Sequence, residues 1–380
     1  VKFTMNSAAL AETIAAAITS LPTKPTVPIL GGVLVEAQLG AVQFSSFNYD
    51  RATMRVAAAD IAETDTVLVA GRLLATVGSN LPANTECHVT ASGSEMVIAA
   101  PRTEFRLPLL HAADYPRLPE MASKDAIGTV DAESFCEAVR VIGGFASPDP
   151  APVNLTVLNI ACEPGDMFLC ATDRYIIGRR RIDWTGATDA TINVPAADIL
   201  ATIKAVAGNG AESIEILWND STLGLRTPST TVVSRVLGEE FPDVDRIMHV
   251  DSFHCAATVE TAELASMLKR AASIADDKFA QVDITVEADA LSVTTTRSTA
   301  GNIVDTTPAV RHGGARRVAL SSRRLHNALA AIDHDQVTLG FQKHGHLISI
   351  YPGAIEPRGT QLPPPQRDTT AALMGIRATS

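Results

Sequence analysis

One spacing constrains this chain more than any other property: a segment at residue 73 recurs at 199 and again at 325, a step of 126 residues. Leu73-Leu74-Ala75-Thr76-Val77 maps onto Ile199-Leu200-Ala201-Thr202-Ile203, and the next step lands on Leu325 within Leu320-Ser321-Ser322-Arg323-Arg324-Leu325-His326-Asn327-Ala328-Leu329. Each copy reads as a strand end, a short polar or Gly/Ala step and an amphipathic helix. A second marker keeps the period, because Asp114-Tyr115-Pro116 and Glu240-Phe241-Pro242 also stand 126 apart. Periods of about 20–50 residues belong to solenoids, whereas this one is domain-sized. Three copies nearly fill the 380 residues, and a single core rarely grows past about 250–300 residues. The expectation is an α+β chain of three repeated domains, each with two helices and an antiparallel sheet, over 1–121, 122–248 and 249–380.

Aromatics make up only 4% of the chain, so the cores must be built from Leu, Ile, Val and Ala. No apolar run reaches about 18 residues without a polar break, and no signal-peptide pattern opens the sequence, which predicts a cytoplasmic protein with no membrane partner. Cys87, Cys136, Cys162, Cys170 and Cys255 are odd in number and lack CxxC spacing, as expected of reduced core cysteines. The net charge of −11 argues against a nucleic-acid partner unless the basic residues are segregated onto one face.

In chain order, Lys2–Met5 alternates as a strand, Asn6 or Ser7 can cap a helix, and Leu10, Ile14, Ala17, Ile18 and Leu21 share its face. Pro22, Pro25 and Pro28 end it. A hairpin follows over Leu30–Ala37 and Ala41–Phe47, then strands at Ala52–Ala57 and Thr64–Val69, and a helix from Arg72 to Leu81. Strands at His88–Ala91, Met96–Ala99 and Glu104–Leu109 close the unit: strand, helix, four strands, helix, three strands. The second unit repeats this, with Asp131 capping a helix whose Phe135, Val139 and Ile142 point inward, and Ala151–Cys162 pairing with Met167–Thr172. In the third, Leu264, Met267, Leu268 and Ala271 share a helix face, Val282–Ala288 pairs with Leu291–Thr296, and Leu325, Leu329 and Ile332 face inward. Pro119–Gly128 and Arg246–Ser252 read as linkers, and Gly353–Asp368 as a Pro-rich loop.

Catalytic signatures are missing: there is no P-loop, HExxH, GxSxG elbow or strand–GxGxxG–helix unit. Gly208-Asn209-Gly210 reads as a turn, and His344-Gly345-His346 as a hairpin tip with no third ligand near it in sequence. Asp173-Arg174-Tyr175 reads as a salt-bridged strand end. No enzyme, metal or cofactor is expected. Arg72, Lys204, Lys269, Arg270, Arg323 and Arg324 all lie off the apolar faces of their helices, which fits either a solvated surface or one basic wall.

Over its whole length the chain resembles the bacterial DNA polymerase III beta subunit, the sliding clamp. The resemblance is carried by Lys2-Phe3-Thr4, Lys24-Pro25-Thr26-Val27-Pro28-Ile29-Leu30, Gly71-Arg72-Leu73-Leu74, Asp114-Tyr115-Pro116-Arg117-Leu118-Pro119, Ala171-Thr172-Asp173-Arg174-Tyr175, Phe241-Pro242-Asp243 and Leu373-Met374-Gly375-Ile376-Arg377. It implies a head-to-tail homodimeric ring around duplex DNA, which a loose basic lining (Lys24, Arg72, Lys204, Arg270) suffices to hold. It further implies a dimer contact through Phe105, Leu107, Ser273 and Ile274. A groove for short peptide motifs of the replicative polymerase and clamp loader would fall on Asn154, Thr172, Arg174, Tyr175, Ile177, Pro242, Ile247, Ala372, Met374 and Gly375. A protein-binding scaffold with no DNA is the alternative.

Several positions depart from the family pattern. Met374-Gly375 stands where Met-Pro is common, Asn154 and Ala372 replace bulkier apolar residues, Asn48 replaces an Asp, and Ala197-Asp198 stand where basic residues are frequent. Gly375 is expected to loosen the last strand, and Arg174 and Tyr175 to add volume and polarity at the groove rim. Such a groove would still take its partner peptide while binding groove-directed inhibitors more weakly.

Overall fold

The computed structural model describes residues 1–207, 210–248, 253–275, 280–295, 301–332, 334–343, 346–355 and 370–375. Gly208-Asn209, His344-Gly345, Ile376-Arg377, residues 249–252 of the second linker and most of the Pro-rich loop lie outside them. The helices are α1 (Ser7–Ala17), α2 (Gly71–Ser79), α3 (Ala132–Gly143), α4 (Ala196–Ala207), α5 (Val244–Met248), α6 (Thr261–Ile274) and α7 (Ser322–Ala330). α4 and α7 begin 126 residues apart, and each follows a strand end, Ala190–Pro195 and Arg316–Ser321, as α2 follows Asp65–Ala70. Asn6 caps α1 by accepting from the Ala8 N–H, and Asp131 accepts from the Ser134 N–H at the start of α3.

The chain folds as two compact units. The first comprises Val1–Arg140, Ala161–Asp166 and Asp183–Gly238; the second comprises Val141–Ile160, Met167–Ile182 and Glu239–Ser380. The first unit carries a 13-stranded antiparallel sheet from Ala126–Asp131 at one edge to Asp60–Glu63 at the other. Midway, Thr230–Arg235 pairs with Arg51–Ala58, Val232 opposite Thr53, so strands far apart in the sequence share one sheet. Its core is aliphatic, with Leu10, Ile14, Val33, Val35, Leu74 and Val89 around Phe3 and Phe44. Tyr115 of the Asp-Tyr-Pro marker is buried, its hydroxyl accepting from the Phe47 N–H at 2.9 Å and donating to the Gly32 carbonyl at 3.3 Å. Burial pushes its phenol up to about 12, so it stays protonated.

Local geometry departs from expectation where the backbone turns. A break at Ala59, whose N–H reaches the Gly40 carbonyl, splits one strand into Arg51–Ala58 and Asp60–Glu63, giving five strands between α1 and α2 where four were expected. The strand expected from Ala151 begins at Val157, because Val153–Leu155 after Pro152 winds as a 3-10 turn. α2 ends at Ser79, two residues short of Leu81. Part of each linker is ordered: Ser123–Asp125 is a 3-10 turn leading into the strand Ala126–Asp131, and Arg246 lies in α5.

Two departures from the family pattern have structural partners. Asn48 accepts from the Asp50 and Arg51 N–H groups, shaping the turn that carries Tyr49 at φ 74°. Asp198 forms an ion pair with Arg51 at 2.6 Å, both side chains largely buried. Burial is the main influence on the Asp198 carboxyl and pushes it above the usual carboxylate range, against the pull of Arg51. Removing the cation strands a buried carboxylate, so Arg51→Met is expected to destabilise the protein by about 3 kcal/mol at neutral pH. Protonation neutralises Asp198 as pH falls through its raised pKa, so the deficit shrinks toward acid. Urea unfolding of both proteins from neutral pH to mild acid checks the magnitude and the sign.

Candidate functional site

One sheet runs in order through Ile176–Asp183, Thr370–Met374, Leu347–Pro352, Gln336–Phe341, Cys255–Glu260 and Val310–Gly313. Its C-terminal strand is paired on both sides, Leu373 lying opposite Ile176 and Ile348. Alternation sends neighbours to opposite faces. Gly178 leaves space for the Phe145 ring, which an added Cβ would meet at 2.0 Å. Ile177, next to it, packs with Cys170, Leu347 and Ala372 under a wall of Phe241, Val244 and Met248. The wall is held by Asp243, which accepts from the Arg246 N–H at the start of α5, and by an Arg179–Asp245 ion pair.

This apolar floor lies beside exposed apolar side chains. Tyr175 is 52% exposed, Ile247 45% and Met374 38%, although each sits against ordered backbone. Phe241 also lines an open cleft in which Asn154 and Val153 face Glu239–Asp243, with Asn154 Nδ2 donating to the Glu240 carbonyl at 3.2 Å. Burial pushes the Cys170 thiol up to about 12, so the floor presents a neutral thiol and no nucleophile.

A hydrogen-bond network shapes the rim. Thr172 Oγ1 donates to the Ile176 carbonyl and accepts from the Arg174 N–H, while Asp173 Oδ1 accepts from the N–H groups of Tyr175 and Ile176. These bonds hold Arg174 at φ 81°, a left-handed conformation costly for a residue with a Cβ. Asp173 is salt-bridged as expected, but to Arg324 of α7 at 2.9 Å. The Arg324 guanidinium also lies 4.5 Å from the Tyr175 ring centroid. Arg324 therefore leaves the solvated helix face where its spacing put it. The Tyr175 carbonyl accepts from the Met374 N–H at 2.8 Å, tying the rim to the last strand.

Thr172, Arg174, Tyr175, Ile177, Pro242, Ile247, Ala372, Met374, Gly375 and Asn154 thus all fall in the second unit. Ala372 is buried in the floor opposite Ile177, and Arg174 is exposed. Cys170, Asp173, Phe241, Val244, Met248, Arg324 and Leu347 were missed; only the apolar character of Phe241-Pro242 and Val244 beside the marker hinted at a wall. The expectation that Gly375 loosens the strand is corrected: its N–H donates to the His346 carbonyl at 2.6 Å. An added Cβ would meet Val318 Cγ2 at 3.0 Å and the Ala319 carbonyl at 3.2 Å.

The remaining predicted residues lie elsewhere. Lys24, Arg72 and Lys204 are exposed in the first unit, with Arg72 donating to the Thr23 carbonyl beside Lys24. Arg270, in the second unit, is bound to Asp305 at 2.6 Å. Leu107 requires correction as an interface residue. It is only 4% exposed, faces the first unit's own core opposite Met96, and has almost no area left for a partner. Phe105 packs against the same core, while Ser273 is exposed and Ile274 half-buried at the end of α6.

Residues 1–119 match the family model of the DNA polymerase III beta subunit, N-terminal domain, and residues 251–352 that of the C-terminal domain. The beta sliding clamp of Micrococcus luteus is 31% identical over 280 residues, covering 72% of this chain and 88% of that protein. The chain belongs to the DNA polymerase III beta subunit family. The Streptomyces coelicolor clamp is 29% identical over 338 residues, 87% of this chain and 89% of that one. The beta sliding clamp homolog GriR of Streptomyces muensis is 29% identical over 274 residues, 71% and 72% of the two chains. Among solved structures, a Pseudomonas aeruginosa sliding clamp bound to griselimycin superposes with a TM-score of 0.89 at 16% identity over 99% of each chain, a likeness of fold. Family members are non-catalytic processivity factors that dimerise and have DNA and a DNA polymerase as partners. No helix among the described residues is long and apolar enough to cross a membrane.

The seat of Gly375 makes a local prediction. Gly375→Pro removes the N–H bonded to His346 and forces ring atoms against Val318 and Ala319. Hydrogen exchange at Leu373 and Met374 is expected to rise several-fold, in line with a net loss of about 1 kcal/mol for one backbone hydrogen bond, while the melting temperature barely moves.

Proposed function

We propose that this chain is a DNA sliding clamp. Two copies close head to tail into a ring around duplex DNA, with 1–121, 122–248 and 249–380 as the repeated domains, and the ring works in the cytoplasm. The second-unit groove then captures short peptide motifs of the replicative polymerase and clamp loader. The observation that carries this reading is an apolar floor of Ile177, Ala372, Cys170 and Leu347 flanked by the exposed side chains of Tyr175, Ile247 and Met374. Apolar anchors dropping into preformed pockets are how such grooves gain affinity, each accounting for about 2 kcal/mol or more.

Dimer closure is supported by an open sheet edge. The strand Thr103–Leu110 pairs along its length with Glu95–Ala100, but with Asp65–Ala70 only at Leu109 and Leu110. Its first half therefore offers unpaired backbone, and so does Val304–Pro308, an edge strand whose Val304 is 72% exposed. The dimer interface would run through these edges, with Phe105, Ser273 and Ile274 at its rim and Leu107 behind it.

Encirclement needs no tight site, which reconciles a net charge of −11 with a DNA partner. The clamp should remain on nicked circular DNA and slide off once the circle is cut. Reversing Lys24, Arg72, Lys204 and Arg270 to Glu should shorten retention, and each phosphate that is no longer neutralised should flatten the log–log salt slope by about 0.9. Equal retention on linear and circular DNA would favour the scaffold reading instead.

The divergent rim also supports inhibitor tolerance. Arg174, Tyr175 and Gly375 reshape the mouth, Ala372 deepens the floor, and one relative is the clamp homolog named GriR. Titration calorimetry should show a polymerase motif peptide binding this protein and the Micrococcus luteus clamp alike. Griselimycin should bind this protein at least tenfold more weakly, and equal griselimycin affinity would remove the tolerance.

A further inference from the structure

Building on that groove function, we propose that Arg324 is a positioning residue. It fixes the Tyr175 ring as a rigid wall against which an apolar side chain of the bound peptide packs. Half-exposed aromatic rings normally sample several rotamers. Here the Tyr175 backbone is fixed, its carbonyl accepting from the Met374 N–H and its N–H donating to Asp173, and the Arg324 guanidinium lies over its ring at 4.5 Å. The guanidinium is held in turn by two bonds to the same carboxylate oxygen, from Nη2 at 2.9 Å and Nε at 3.3 Å. The carboxylate's other oxygen accepts the two backbone N–H groups that form the turn.

One acidic side chain thus fixes both the turn bearing Tyr175 and the cation stacked on its ring. The ring is 52% exposed with one face covered by Arg324, so the remaining exposed surface is what a ligand can use. A planar cation can hydrogen-bond through its edge while its face stacks, and lysine cannot do both. Arg324, which lies 149 residues from Tyr175 in sequence, is therefore the residue that orders the most exposed aromatic of the groove. A wall held rigid before binding favours any peptide whose apolar side chain fits it, since less motion is lost on association.

The test is a double-mutant cycle of Arg324→Met and Tyr175→Ala, read by anisotropy of a labelled polymerase motif peptide, with Arg324→Lys as the conservative variant. Arg324→Met should weaken binding about five- to tenfold, near the range of a partly desolvated cation–π contact. Arg324→Lys should restore little. In the Tyr175→Ala background the same change should cost less than twofold, and an equal loss in both backgrounds would overturn the proposal. A ligand-free readout runs alongside: with 3-fluorotyrosine in all four tyrosines, Arg324→Met should move and sharpen the Tyr175 line, assigned by Tyr175→Phe, and leave the others in place. An unmoved Tyr175 line also overturns it. If the wild-type protein does not bind the peptide, the groove function itself fails, and the fluorine spectrum then judges the hold of Arg324 on Tyr175.

Discussion

Antiparallel pairing between strands far apart in the sequence is the interaction on which the rest of this structure depends. A repeat of about 126 residues carrying one open sheet would leave two edges of unpaired N–H and C=O groups. The chain closes such edges against strands far away in its own sequence. Thr230–Arg235 pairs with Arg51–Ala58 in the first unit, and Ile176–Asp183 pairs with Thr370–Met374 in the second. The compact units are therefore not continuous stretches of the chain, because the backbone bonds that make them compact join strands far apart in sequence.

The groove is a by-product of that pairing. Placing the C-terminal strand between Ile176–Asp183 and Leu347–Pro352 sets Ala372 opposite Ile177 and Ser349, and carries Met374 to the turn at Tyr175. What results suits binding and not bond-making. Its cysteine is protonated, Asp173 and Arg324 of its rim are committed to an internal ion pair, and Tyr175, Ile247 and Met374 expose apolar surface. Affinity in such a groove comes from shape and burial, so small changes at Arg174, Tyr175 or Ala372 alter which ligands fit without removing the site.

Electrostatics follow a similar economy. Two of the cations proposed to face DNA are partly engaged, Arg270 with Asp305 and Arg72 with the Thr23 carbonyl. Engaged cations give a weak, mobile attraction to phosphates, which a sliding ring can tolerate and a site-specific binder cannot. The buried pair of Arg51 and Asp198 is different in kind, since both charges are withdrawn from solvent and serve the fold of the first unit.

Much of the fold was legible from local pattern. Helix faces at Leu10/Ile14, Leu264/Leu268 and Leu325/Leu329 are buried as their spacing required, and the hairpin over 32–47 closes at Leu39-Gly40. Periodicity reports which side of an element is apolar, and that is a property of neighbours in sequence. The same alternation on Thr103–Leu110 already pointed Leu107 inward. The proposed groove positions were named through likeness to a family and not through local pattern. Tertiary structure alone decided the partners of polar and charged side chains. Asp173 had Arg174 beside it in sequence, yet its carboxylate is held by Arg324, 151 residues away. A charge chooses its partner by distance in space after the strands have paired, and no local pattern encodes that distance.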